Sequence, residues 1–240
     1  MKAHNILVTG ASSGIGRAVA VNLLKASHSV IGIARDVAKF KHHHPHFYPV
    51  AMDLSQLHKL TEKFKLLCVD YPNIDAVVFC AGQGLFGSLE QYSAEQIQSL
   101  INLNFTSQAL MARLLVPKMK QQGRGHIIFL GSEAALKGSR QGTIYCASKF
   151  AVRGFAQALR EECANSGVRV TLINPGMVRS PFFDTLTFQP GQKATQYLLP
   201  EDVAEAVSYV IHSRADMVVD EINLNPLNRV VKAKNKDKSS

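Results

Sequence analysis

Hydrophobic residues fall along this chain in two rhythms. Short, continuously apolar and β-branched runs read NILVTG, HSVIGIA, FYPVAM, IDAVVFC, HIIFLGS and VRVTLINP, with a last run at EINLN. Between most of them lie longer stretches of helical period, over about 14–26, 55–70, 94–122, 144–165 and 200–212, while a loop alone joins the second and third runs. A strand buried on both faces reads apolar throughout, and strands separated by helices pair in parallel. The pattern therefore predicts an α/β fold, a doubly wound parallel sheet of about seven strands with helices on both faces. No internal repeat or linker divides it, so residues 1–230 are expected to form one domain.

Composition changes this picture little. With 240 residues, 46% hydrophobic and 19% charged, the chain can bury one large core. The opening MKAHNILVTG leaves no room for a leader before the first strand, and no apolar run approaches membrane-spanning length, so a cytoplasmic protein with no membrane partner is expected. Cys68, Cys80, Cys146 and Cys163 lack paired spacing and sit among apolar or small residues, which points to buried free thiols without disulfides or zinc.

Charge calls for closer reading. Lys and Arg exceed Asp and Glu by 27 − 18 = 9, a balance open to an anionic cofactor, an acidic substrate or nucleic acid. Much of the excess is local. The end from Val231 carries Lys232, Lys234, Lys236 and Lys238, and residues 231–240 read as a solvated, disordered tail. His42, His43, His44 and His46 cannot all face one ion across Pro45 and have no carboxylate or thiol beside them, so no metal site is expected there. Nucleic acid is not expected as a partner, since only bulk charge suggests it.

Chemistry concentrates in three stretches. TGASSGIG at 9–16 places Gly10, Gly14 and Gly16 directly after the first strand and before the first helix, where tight turns and free helix N–H groups receive a pyrophosphate. The second strand ends in Ala34 and Arg35 rather than a carboxylate that would hold the ribose hydroxyls of NAD. A guanidinium there can clasp a 2′-phosphate, which favours NADP over NAD. Arg17 either assists or is merely exposed, and Asp36 is placed to pair with Arg35. Finally, IYCASK sets Tyr145 and Lys149 at i and i+4, one turn apart on one helix face. An ammonium beside a phenol favours phenolate, giving a tyrosine able to exchange a proton; alone, the pair also fits an ordinary solvated face.

Taken in order, these residues resemble the short-chain dehydrogenase/reductase family. The match runs through TGASSGIG, Asp53 in MDL, Ala81 and Gly82 in FCAG, Asn104 in NLNF, Ser132 in LGSEAA, Tyr145 and Lys149 in YCASK, and Pro175 and Gly176 in NPGMVRS. The resemblance covers about residues 5–226 and implies a Rossmann fold and an NADP(H)-dependent oxidoreductase interconverting a carbonyl and a secondary alcohol. It implies Tyr145 as acid/base and Lys149 as the group lowering its pKa. Ser132 would polarise the substrate oxygen, and Asn104 would hold a relay water. Cofactor contacts implied are Gly10, Ser12, Ser13, Gly14, Ile15, Gly16, Arg35, Asp53, Leu54, Ala81, Gly82, Tyr145, Lys149, Pro175, Gly176, Val178 and Ser180. Asp53 would hold the adenine, or else cap the helix near Ser55; Val178 and Ser180 would hold the carboxamide, or Ser180 would only start a turn. Hydride transfer does need a proton donor, a neighbouring cation and a partner for the developing oxyanion, which these residue types supply.

The sequence departs from the family at Phe79 and Cys80, where asparagines are usual, and at its end. EINLNPLNRVV resembles the 3-hydroxy acid dehydrogenase branch, which would suit a small polar or anionic substrate. Arg140 and Arg179 flank the expected mouth, either to meet a carboxylate or simply solvated. Residues 182–199 match the family's substrate-covering segment, with Phe182, Phe183, Phe188 and Tyr197 as an apolar lid or as core packing. The two long helices are those by which the family forms dimers and tetramers, so a homo-oligomer is implied. The competing reading is a non-catalytic NADP-binding regulatory module, against which the intact Tyr145 and Lys149 stand.

Overall fold

The computed structural model describes residues 3–234. The apolar runs form β1 (Asn5–Thr9), β2 (Ser29–Ala34), β3 (Phe47–Ala51), β4 (Ala76–Phe79), β5 (Gly125–Leu130), β6 (Val168–Pro175) and, after a short β7 (Phe188–Pro190), β8 (Glu221–Leu224). Seven of these pair in parallel in the order β3-β2-β1-β4-β5-β6-β8. Side chains alternate across the sheet, and that alternation explains why the runs are apolar throughout. Leu7, Val77, Ile127 and Val170 face one layer, made by α2 (Leu57–Asp70), α4 (Ser107–Gln121) and α5 (Thr143–Glu162). Ile6, Val8, Val78 and Ile128 face the other, made by α1 (Gly14–Lys25) and α6 (Pro200–His212). No helix among the described residues is long and apolar enough to cross a membrane.

Two expectations are corrected. The single helix expected over 94–122 is split: α3 (Ala94–Ile101) passes into a π turn at Asn102–Thr106 before α4. Periodicity cannot register one extra residue in a turn, yet such a turn redirects side chains, here Asn104. Residues 231–234 also differ from the disordered tail expected from their charge. Val231–Ala233 forms β9 and pairs antiparallel with β7, and Lys234 N donates to Thr187 O at 2.8 Å. Lys232 Nζ reaches Gln192 Oε1 at 3.4 Å, and Lys234 Nζ caps the carbonyls of Phe183 and Asp184, so these two lysines act as donors to a specific segment. Lys236 and Lys238 lie outside the described residues.

At the amino ends of the strands, three histidines bolt α1 and α6 to β1. His4 N donates to His28 Nδ1 at 3.1 Å, which leaves the His28 proton on Nε2, 3.0 Å from His212 Nε2. His212 must then accept there and donate from Nδ1 to Ser208 O at 2.8 Å. A second proton on His28 would face the His4 N–H. Burial, reinforced by His212 and then His4, lowers the His28 pKa from 6.5 to about 4. The unfolded chain therefore binds this proton first, so stability falls as pH drops through the 6.5 to 4 window. Urea midpoints between pH 7 and 4.5 check this: His28→Gln is expected to flatten the acid limb relative to the unmodified protein, and parallel limbs would refute the assignment.

Candidate active site

In an open α/β sheet, ligands bind where the strand order reverses, beyond the carboxyl ends of the strands. Here the reversal lies between β1 and β4, and a cleft of about 1190 Å³ opens there. The turn after β1 shapes its floor. Gly10 has φ +70°, and a Cβ on it would press on the Ala81 backbone at 3.1 Å. A Cβ on Gly16 would lie 2.3 Å from Gly10 O, so only glycine lets α1 start this close to β1. Ser13, at the α1 N-cap, makes no side-chain capping bond, and the first turn carries no acidic residue. The helix N-terminus thus presents free donors and a positive dipole end to the cleft.

Arg35 lines the same cleft, is exposed, and is not engaged by Asp36. Asp36 instead accepts from Ala38 N at 3.1 Å and approaches Lys39 at 3.7 Å. Arg17 is exposed and does not line the cleft. Asp53 does line it, but its carboxylate closes a turn by accepting from Ser55 N at 3.0 Å and Ser55 Oγ at 2.7 Å. The helix expected near Ser55 begins at Leu57 with Gln56 at its cap, so Asp53 is not that cap. Burial pulls the Asp53 carboxyl upward, yet the Ser55 hydrogen bonds, the Arg35 field and Gln56 outweigh it and hold the pKa below the usual value.

The expected catalytic residues converge on the far wall. Ser132, just past β5, and Tyr145 and Lys149, on the first turns of α5, line the cleft together, with the Ser132 hydroxyl acting on the Tyr145 phenol. Burial raises the Tyr145 phenol to about 12, only partly opposed by Ser132, with the Cys146 and Glu133 fields adding to the rise. Lys149 Nζ donates to Leu130 O at 2.9 Å and stands 5.9 Å from the Tyr145 ring centroid. The expected lowering of the tyrosine pKa by Lys149 is therefore not realised in this geometry: desolvation dominates, and the phenol holds its proton. Burial also lowers Lys149 to about 8, with Cys80 pulling weakly the other way.

Asn104, fully buried, does not line the cleft but braces it from below. From the π turn it grips Gln83 at both ends, Oδ1 accepting from Gln83 N and Nδ2 donating to Gln83 O, each at 3.0 Å. It also donates to Ser148 Oγ at 3.1 Å. Its own carbonyl is taken by Gln108 Nε2 at 2.8 Å. Ser148, Gln83 and Gln108 were invisible to sequence reasoning because nothing in their spacing marks them; only the π turn brings them together. Asn174 was missed likewise. Its Oδ1 accepts from Ser132 N at 3.3 Å while its Nδ2 donates to Glu221 at 2.8 Å and Asn223 at 2.9 Å, fixing the backbone that carries Ser132.

The two unusual residues where β4 ends have ordinary explanations. Phe79 is fully buried and stacks on Phe129 at 5.1 Å, so this position feeds the core. Ala81 N is satisfied by Thr9 Oγ1 at 3.0 Å. Cys80 borders the cleft, but burial pushes its thiol up to about 12 despite Lys149, which leaves a poor nucleophile. The remaining expected cofactor contacts, Ser12, Gly14, Ile15, Leu54, Gly82, Pro175, Gly176, Val178 and Ser180, all line the cleft. Arg140 lines its exposed rim. Arg179 does not line it: its guanidinium stacks 3.6 Å from the Tyr197 centroid and donates to the carbonyls of Gly191 and Gln192. Arg179 and Tyr197 are thus spent on holding one loop.

A glycine turn under a helix N-terminus, joined in one cleft to a buried phenol, a hydroxyl and an ammonium, defines a dinucleotide-dependent oxidoreductase. The family model described as short chain dehydrogenase matches residues 4–190. An uncharacterized oxidoreductase of Staphylococcus aureus strain MRSA252 is 31% identical over 226 residues, covering 92% of this chain and 96% of its own. Among solved structures, an alcohol dehydrogenase from the archaeon Thermococcus sibiricus, complexed with 5-hydroxy-NADP, superposes with a TM-score of 0.84 at 26% identity, covering 95% of this chain and 99% of that one. Serine dehydrogenase from Escherichia coli superposes with a TM-score of 0.79 at 30% identity, covering 92% and 96%. The chain belongs to the short-chain dehydrogenase family, and it is an oxidoreductase that interconverts a carbonyl and an alcohol.

Proposed function

We propose that the protein reduces a small carbonyl compound, or oxidises the corresponding secondary alcohol, using NADP(H), with Tyr145 as the proton donor or acceptor. The observation that carries this reading is the assembly of Ser132, Tyr145 and Lys149 on one wall of the cleft whose floor is the Gly10–Gly16 turn. The residues fit the dinucleotide: the turn leaves helix N–H groups free for a pyrophosphate, and Arg35 is uncommitted at the end of β2, where a 2′-phosphate would lie. Structural relatives that carry NADP support the same choice, among them a closed serine dehydrogenase at 26% identity.

When bound, the nicotinamide supplies or receives the hydride. The protein supplies the rest. Tyr145 keeps its proton at neutral pH and so is poised to give it to a carbonyl oxygen held by Ser132. The phenolate left behind is stabilised by the Ser132 hydroxyl. Asn104 fixes the Gln83 loop and, through Ser148, the first turn of α5 from which Tyr145 projects. We further propose a cytoplasmic homo-oligomer formed through α4 and α5, a reading supported by the family resemblance and by Phe150 exposed on α5. No nucleic-acid partner is assigned, because Lys232 and Lys234 serve the β7 segment.

The cofactor assignment rests on Arg35 and is checked by titrating NADPH and NADH by fluorescence. A charge-assisted contact to the 2′-phosphate is worth about 1.5–3 kcal/mol. Arg35→Ala is therefore expected to weaken NADPH by roughly 10- to 100-fold with NADH little changed, and an unaltered NADPH-to-NADH ratio would refute the role.

A further inference from the structure

Five aromatic rings close on one another beside the proton donor. Tyr145 meets Phe86 at 5.0 Å between centroids, Phe86 meets Phe188 at 4.9 Å, Phe188 meets Phe183 at 5.7 Å, Phe183 meets Phe182 at 5.1 Å, and Phe182 returns to Tyr145 at 5.8 Å. These are contact separations for aromatic pairs, so the rings make a continuous wall, and all five residues line the cleft. The backbone is shaped for them: a Cβ on Gly84 would lie 2.6 Å from the Phe182 ring and 3.0 Å from that of Phe86. β9 fixes the far side by pairing with β7, which carries Phe188, while Lys234 holds the Phe183 carbonyl.

Charges are arranged in the opposite sense. The cations lining the cleft are Arg35, Lys137, Arg140, Lys149 and Arg229. Arg35 stands at the end of β2, by the glycine turn, and Lys149 is bonded to Leu130 O. Arg229 donates to Asn225 Oδ1 at 3.0 Å and approaches Glu133 at 4.0 Å. Lys137 and Arg140 are exposed on the rim. Only Lys149 is buried against the aromatic wall, 5.9 Å from the Tyr145 centroid, and its Nζ is already engaged by Leu130 O. A substrate carbonyl that reaches Tyr145 must rest its substituents on that wall, where an unpaired carboxylate would lose its hydration without compensation.

We infer that the substrate is a neutral ketone or aldehyde bearing a flat apolar ring, and that Phe86 and Phe182, which touch Tyr145 directly, set this specificity. The anionic 3-hydroxy acid suggested by the last strand finds no partner here. The inference rests on the oxidoreductase reading above, and a matched set of probes separates the two. Phenylacetone and phenylpyruvate differ by a methyl against a carboxylate, while butan-2-one lacks the ring. With NADPH, kcat/KM for phenylacetone is expected to exceed that for each of the others by about 10- to 100-fold, the worth of burying one such ring. Phe86→Ala and Phe182→Ala are each expected to erase at least about tenfold of that preference. Preference for phenylpyruvate or butan-2-one would overturn the inference and leave the enzyme reading intact. If none of the three is turned over, the enzyme reading is judged on a broad range of carbonyl compounds instead. Calorimetric binding to the NADP-loaded protein then decides the inference: tighter phenylacetone upholds it, and equal or tighter phenylpyruvate overturns it.

Discussion

Replacing Tyr145 with phenylalanine is expected to cut turnover by about 10²- to 10⁴-fold, the usual contribution of a positioned proton donor. The substitution removes only the hydroxyl. The ring remains, with its contacts to Phe86 at 5.0 Å and Phe182 at 5.8 Å, so the wall and the fold persist. What disappears is the one group that is protonated at neutral pH, under the influence of the Ser132 hydroxyl and close to a buried ammonium. The loss should therefore fall on kcat, while NADPH still binds measurably. Steady-state rates for the two proteins decide it: activity within tenfold of the original would mean that another group delivers the proton.

Gly16→Val is expected to act through the backbone and to be nearly as severe. A Cβ at this position lies 2.3 Å from Gly10 O, 2.7 Å from Gly10 C and 3.0 Å from Thr9 O, all main-chain atoms that cannot swing aside. Accommodating it requires α1 to move off β1, which costs about 1–3 kcal/mol or more as overpacking and displaces the N–H groups that face the cleft. NADPH binding should fall by at least about 100-fold, converting a loss of roughly 3 kcal/mol, and Tm should drop with it. Gly154→Ala is the matched control, since a Cβ at Gly154 meets nothing within 4 Å. Full NADPH affinity in Gly16→Val would show that the turn does not hold the pyrophosphate.

Much of this architecture was legible because it is local. Continuous apolar runs identify strands covered on both sides, and the glycine spacing after β1 has a steric cause that the coordinates reproduce at Gly10 and Gly16. Tyr145 and Lys149 share a helix face by simple periodicity. Features that depend on distant partners were not legible. Nothing in NLNFT signals a π turn, yet that turn lets Asn104 grip Gln83 and Ser148. Lys232 and Lys234 read as solvated charge because the backbone they meet, within residues 183–190, lies some forty to fifty residues away. Arg179 looked available for a substrate carboxylate until Tyr197 and two carbonyls were found to occupy it. Phe86 carried no motif at all and entered the site only through its contacts with Tyr145 and Phe188.

The central claim, hydride transfer in this cleft from NADPH to a carbonyl carbon, is tested most directly with NADPH carrying two deuteriums at nicotinamide C4. A single turnover with phenylacetone, read by mass spectrometry, should yield the alcohol with one deuterium on its carbinol carbon, and Tyr145→Phe should yield almost none. Unlabelled alcohol, or NADPH that binds without any alcohol forming across a broad range of carbonyl compounds, would contradict it.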